Sequence, residues 1–126
     1  MGGSKAKFLF IPLRIRRLLQ GALERASQEL TDDERESAQQ AVLEAESVLS
    51  NVSGALPWID VNDEGLVLAQ WQNDRLGLLF LFSGDGTFTA ATRDDDDHRY
   101  VERPEEFPVA GGIPTKLLSL IRSRFS

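Results

Sequence analysis

The sequence predicts an α+β domain: an N-terminal helical hairpin packed on an antiparallel β-meander of four to five strands, closed by a C-terminal helix. Three observations predict it. Apolar residues recur at helical spacing up to about residue 53. From Pro57 the pattern changes to short apolar runs separated by Asn, Asp and Gly. Helical spacing returns after Pro114. The chain has 126 residues, 41% of them hydrophobic, which suffices for one domain (1–126) to bury a core without covalent staples. The expected parts are a hairpin over about 11–53, a meander over about 57–103 and a helix over about 114–125.

The first helix rests on Phe8, Ile11, Ile15, Leu18, Leu19, Ala22, Leu23 and Ala26, whose spacing marks one apolar stripe. Pro12 suits a first helical turn, where its missing N–H costs nothing, so the helix is expected to start near Ile11 or Pro12 and run to about Leu30. That leaves "KAKFLF" (5–10) as an extended lead-in. The second helix carries a clear start signal. Thr31 is the expected N-cap, and Asp32, Asp33 and Glu34 place negative charge at the positive end of the helix dipole. Ala38, Ala41, Val42, Ala45, Val48 and Leu49 form its inward stripe, and Gly54 and Pro57 end it. The short connection at Thr31 makes the two helices antiparallel neighbours.

Beyond Pro57, "WIDVN", "LVLAQWQ", "RLGLLFLFS" and "TFTAATR" read as strands joined by "DEG", "ND" and "GDG" turns. In the second strand Val67, Ala69 and Trp71 alternate with Leu66, Leu68 and Gln70, so one face is buried and the other partly exposed. The third strand is apolar on both faces, which predicts a central strand with helices on one side and a partner or second copy on the other. "RYVERP" is a candidate fifth strand, "EEFPVAGGIP" a linker, and Leu117, Leu118, Ile121 and Phe125 the apolar side of the last helix.

Charge is segregated. The net charge is −6, yet residues 1–25 carry +5, residues 26–111 carry −14 and residues 112–126 carry +3. Either the basic ends pack beside the acidic middle and neutralise it, or an acidic face is offered to a basic partner, whose encounter it steers. There is no cysteine, which excludes disulfides and thiolate chemistry and fits a reducing compartment. The apolar run Phe8–Leu13 is too short for a secretory core of roughly 7–15 residues, and no stretch approaches the ~20 needed to span a bilayer. The expectation is a cytoplasmic protein without a membrane segment.

"TRDDDDHRY" (92–100) concentrates Asp94, Asp95, Asp96, Asp97 and the single histidine, His98. Contiguous carboxylates cannot all face one ion, a calcium loop needs alternate ligands with a central glycine, and zinc would need further His or Cys. No metal and no cofactor is expected. A hydrated acidic loop, with a cationic partner as its use, is the reading. His98 has no recognisable nucleophile motif to serve. "SGDGTF" lacks the lysine of a phosphate-binding loop and reads as a hairpin turn. Arg14 and Arg17 could meet phosphates, but a pI of about 4.8 argues against a dedicated nucleic-acid binder.

The stretch 57–91 resembles a pattern in small uncharacterised bacterial proteins. Its pattern residues are Pro57, Asp63, Gly65, Trp71, Gly84, Asp85 and Gly86. The resemblance implies an accessory component of toxin–antitoxin, immunity or phage-related loci and assigns no catalytic residue. Together these features predict a non-enzymatic protein-binding module, an acidic inhibitor such as an immunity protein, antitoxin or phage-encoded inhibitor that neutralises a basic partner. Asp60, Asp63, Glu64, Trp71, Phe80, Phe82, Asp94, Asp95, Asp96, Asp97 and His98 are the expected contact residues. A nucleic-acid-associated or DNA-mimic role, a small enzyme and a homodimer formed through the sheet are the alternatives.

Overall fold

The computed structural model describes residues 2–52, 55–93 and 105–125, with side chains from Arg14 onward. Two helices, α1 (Gly2–Ser27) and α2 (Asp32–Leu49), are followed by strands β1 (Trp58–Val61), β2 (Val67–Gln72), β3 (Gly77–Phe82), β4 (Thr87–Arg93) and β5 (Glu105–Pro108), a short 3-10 turn (Val109–Gly111) and α3 (Thr115–Arg124). The strands form one antiparallel sheet in the order β1-β2-β3-β4-β5. This is the expected α+β meander, with the helical hairpin packed on it.

The cap at Thr31 forms as its residue type dictates. The Thr31 hydroxyl accepts from Glu34 N–H at 3.2 Å, and the Glu34 carboxylate accepts from Thr31 N–H at 2.8 Å, a reciprocal capping box. The α2 stripe is buried throughout, as are Ile15, Leu19 and Ala22 of α1. Arg16 reaches across the hairpin to Glu46 at 2.7 Å.

Two hairpin turns meet α2 at glycines. A side chain at Gly65 (φ 81°) would sit 2.7 Å from the Glu34 carbonyl, and one at Gly84 (φ 84°) 2.9 Å from that of Ser37. Only glycine meets both the left-handed backbone and the close approach. Further along α2, buried Glu44 accepts from Gly86 N–H at 3.0 Å, so one helix holds both turns at the same end of the sheet. The α3 helix closes the core with Leu117 and Ile121, and Asn73 Nδ2 donates to Arg124 O at 2.8 Å.

Four local expectations need correction. The first helix begins at Gly2 and passes through Pro12, so residues 5–10 are helical. Proline withholds one donor, and the lysines, alanine and leucine ahead of it favour helix. Leu18, read as part of the inward stripe, stands 40% exposed, because the buried positions of α1 centre on Ile15, Leu19 and Ala22. The β2–β3 turn is centred on Asp74 and Arg75, one residue later than "ND". Asn73 stays at the strand end, where its Oδ1 accepts from the N–H groups of Arg75 (2.9 Å) and Leu76 (2.8 Å). Finally, the fifth strand is Glu105–Pro108, within the stretch expected as a linker. Phe107 supplies the reason, since it pairs with Phe88 and extends the aromatic core, ring centroids 5.6 Å apart. The "RYVERP" segment lies outside the described residues up to Pro104.

Candidate protein interface on the open face of the sheet

Strand parity sorts the meander into two faces. The inner face carries Ile59, Val61, Val67, Ala69, Trp71, Leu78, Phe80, Phe82, Phe88 and Ala90, all buried. The described helices pack here: α1 on β1, α2 on β2 and β3, and α3 through Leu117, Ile121 and the Lys116 ammonium 5.9 Å from the Phe107 ring centroid. Trp71, Phe80 and Phe88 pack ring against ring, with centroids 5.1 and 5.3 Å apart.

Three expected contact residues are therefore core. Trp71 is 2% exposed and Phe80 and Phe82 are fully buried. The Trp71 indole N–H donates to Ala55 O at 2.9 Å, which satisfies its one polar atom. Even-numbered residues of β3 face the helices, so the apolar surplus of that strand leaves on the odd ones.

Those odd positions build the other face. Register places Asp60, Leu68, Leu81, Thr89 and Glu106 in one row across the sheet, and Trp58, Gln70, Leu79 and Ala91 in the next. Leu68, Leu79, Leu81 and Ala91 are half-buried, and Trp58 stands 63% exposed at the β1 edge. Sequence reasoning passed over Trp58 and the leucines. Asp60 gave the signal, since a carboxylate on a thin strand belongs in solvent and Trp58, two residues earlier, must share its side.

Carboxylates surround this centre. Asp60 and Glu106 end the first row. Asp63 and Glu64 are exposed on the β1–β2 turn and Asp85 on the β3–β4 turn. Asn62 shapes the first of these turns, its Oδ1 accepting from the N–H groups of Glu64 (3.0 Å) and Leu66 (2.9 Å). Among the described residues, none of these five carboxylates forms an ion pair; the ion pairs are Arg16–Glu46, Arg35–Asp32 and Lys116–Glu105. Among the described residues the basic ends thus meet the acidic middle at Glu46 and Glu105.

The pKa of Asp85 is lowered, chiefly because its carboxylate accepts from the Thr87 backbone N–H (3.1 Å) and then from the Thr87 hydroxyl (2.9 Å). The same hydroxyl lies 2.7 Å from Glu106 Oε1. It has one proton, so it serves one of the two carboxylates at a time.

At the opposite end of β1 the sheet borders a cleft of about 610 Å³ between Trp58, Gln70 and Gln72 on one side and Arg124 and Phe125 on the other. Asp94, Asp95, Asp96, Asp97 and His98 lie outside the described residues. Among the described residues no three His, Cys, Asp or Glu side chains gather as a metal site, and no helix is long and apolar enough to cross a membrane. Comparison of the chain with protein-family models, with curated proteins and with solved structures finds no match.

Proposed function

We propose that this chain is a non-enzymatic protein-binding module, an acidic inhibitor of the immunity-protein or antitoxin kind, that covers a basic partner with the open face of its sheet. One observation carries the reading: parity and helix placement leave Leu68, Leu79, Leu81, Ala91 and Trp58 together on a face where no described helix packs. An apolar centre inside a polar, charged rim is the usual anatomy of a protein interface, and an exposed tryptophan at its margin is typical hot-spot chemistry. The five rim carboxylates supply a negative field on a chain whose net charge is −6. That field would raise the on-rate for a cationic surface and make it depend on salt.

The test compares the wild-type chain with a Leu79→Glu, Leu81→Glu variant, both shown by circular dichroism to be folded, as baits in extracts of the native host. A basic protein retained by the first and lost from the second supports the reading, and its association should slow several-fold as salt rises. Equal recovery of the same proteins by both baits rejects the open face as the contact surface.

A further inference from the structure

The two edges of the sheet differ in how they are defended. β5 ends on Pro108, which has no N–H to offer, and carries Glu105 and Glu106, with Glu105 held by Lys116 at 3.0 Å. Proline and charge at an edge oppose pairing with a further strand. β1 holds no proline, and Asp60 is its single charge.

The ladder shows which backbone groups β1 presents. Asn62 N–H donates to Leu66 O at 3.0 Å, and antiparallel pairs alternate, so Asp60 opposite Leu68 and Trp58 opposite Gln70 exchange the β1–β2 hydrogen bonds. Ile59 and Val61 then direct their N–H and C=O groups to the outer edge. Among the described residues neither makes a backbone hydrogen bond beyond the sheet.

Two of the three exposed large apolar side chains among the described residues border this edge, Trp58 and Leu18. Trp58 belongs to the open face. Leu18 lies two residues, about 200° of helix rotation, from Arg16. Arg16 turns to Glu46 of α2 at 2.7 Å, so Leu18 occupies the flank of α1 turned away from α2. Because α2 packs over β2 and β3 and α1 over β1, that flank looks past the β1 edge. A strand laid along β1 would have Trp58 on one side and Leu18 on the other.

We infer that β1 receives an extended segment of the partner as a sixth strand, an inference that rests on the protein-binding reading and names its mode. The open-face residue of that segment opposite Asp60 is Lys or Arg, and the one opposite Trp58, two residues away, is aromatic or apolar. The intervening positions face α1 and are apolar, to meet Leu18. Arg25 stands exposed on the same flank of α1, so cationic side chains are disfavoured there. A second copy of the chain fits this edge less well. Pairing Ile59 with Val61 across a two-fold axis sets Asp60 against the same residue of the other copy, and each copy carries −6.

The experiment uses the full chain, isotope-labelled for amide exchange, with the synthetic peptide TVKVWVT as probe and TVEVWVT as its control. With the first peptide at ten times its Kd, exchange at Ile59 and Val61 should slow about 11-fold, while Trp58 and Asp60, already bonded to β2, change little. The glutamate peptide should bind more weakly to the wild-type chain and more tightly to an Asp60→Lys variant, and Leu18→Ser should weaken both. Perturbation of Leu79 and Leu81 without slowed exchange at Ile59 and Val61 would overturn strand addition and leave docking on the open face standing. Absence of any perturbation also overturns strand addition, and the fate of the wider reading is then decided by the bait comparison. Slowed exchange that follows protein concentration without peptide gives the edge to a second copy and overturns the inference.

Discussion

On β3, Leu78, Phe80 and Phe82 are completely buried, whereas Leu79 and Leu81, just as apolar and one residue away, keep part of their surface in solvent. The same contrast runs through β2, where Ala69 and Trp71 lie beneath the helices and Leu68 and Gln70 do not. Hydrophobicity therefore does not say which side of this sheet is core. What separates the sides is coverage, since α1, α2 and α3 all pack against one of them. The side on which no described helix packs carries half-buried leucines, and the rim carboxylates stand around it.

The largest expected effect sharpens this contrast by paired truncation. Phe80→Ala removes a ring in contact with Trp71 and Phe88 and should cost about 3–5 kcal/mol, read as a lower urea midpoint. Leu81→Ala, on the same strand, should cost no more than about 1 kcal/mol. Comparable losses would mean that the open face is packed in the monomer. Next, Gly65→Ala forces a side chain into the left-handed region and against the Glu34 carbonyl, and should cost about 1–3 kcal/mol by lifting α2 from the β1–β2 turn. A neutral result would show that the inner side tolerates a displaced helix. The smallest effect lies on the rim. The pKa of Asp85 is lowered, so its contribution to stability is complete above the ordinary carboxylate range and is lost as pH falls through its folded pKa, below about 4. Asp85→Asn should lower thermal stability slightly at neutral pH and make it less pH-dependent below pH ~4. Because Asp85 is exposed, the effect should be small, and a large one would place the rim inside the packed structure.

Much of the fold was legible because local chemistry and tertiary packing agree. The Thr31 cap, the α2 stripe and the "GDG" turn each carry a residue type with one inexpensive conformation, and each forms as read. Errors arose where packing outweighed a local signal. Pro12 is a poor interior helix residue, yet α1 runs through it, and a segment with linker composition becomes β5 because Phe107 finds Phe88. The open face was harder to read. The third strand suggested a side without helices, but naming its residues needed the parity of each strand against the next, which no single residue type marks. Moving the turn from "ND" to Asp74-Arg75 slides β3 by two residues against β2, so Trp71 lies opposite Leu78 in place of Leu76 while the same side of the strand stays inward. Aromatic content pulled the expectation toward Trp71, Phe80 and Phe82, the large side chains that a small core needs most. Trp58, the aromatic left outside, sits beside Asp60 on a four-residue strand whose period is too short to stand out.

Neighbours in this sheet are also consecutive in the chain. Between β1 and β4, each new strand needs only a tight reversal to find its mate, and such hairpins close in about 1–10 μs. Assembly can therefore proceed as a zipper along the chain, and the costlier search is left to the N-terminal helices, which must settle on a surface synthesised after them. The local wiring also means that strands cannot easily be exchanged for distant ones, so mispairing should be rare even before the helices have docked.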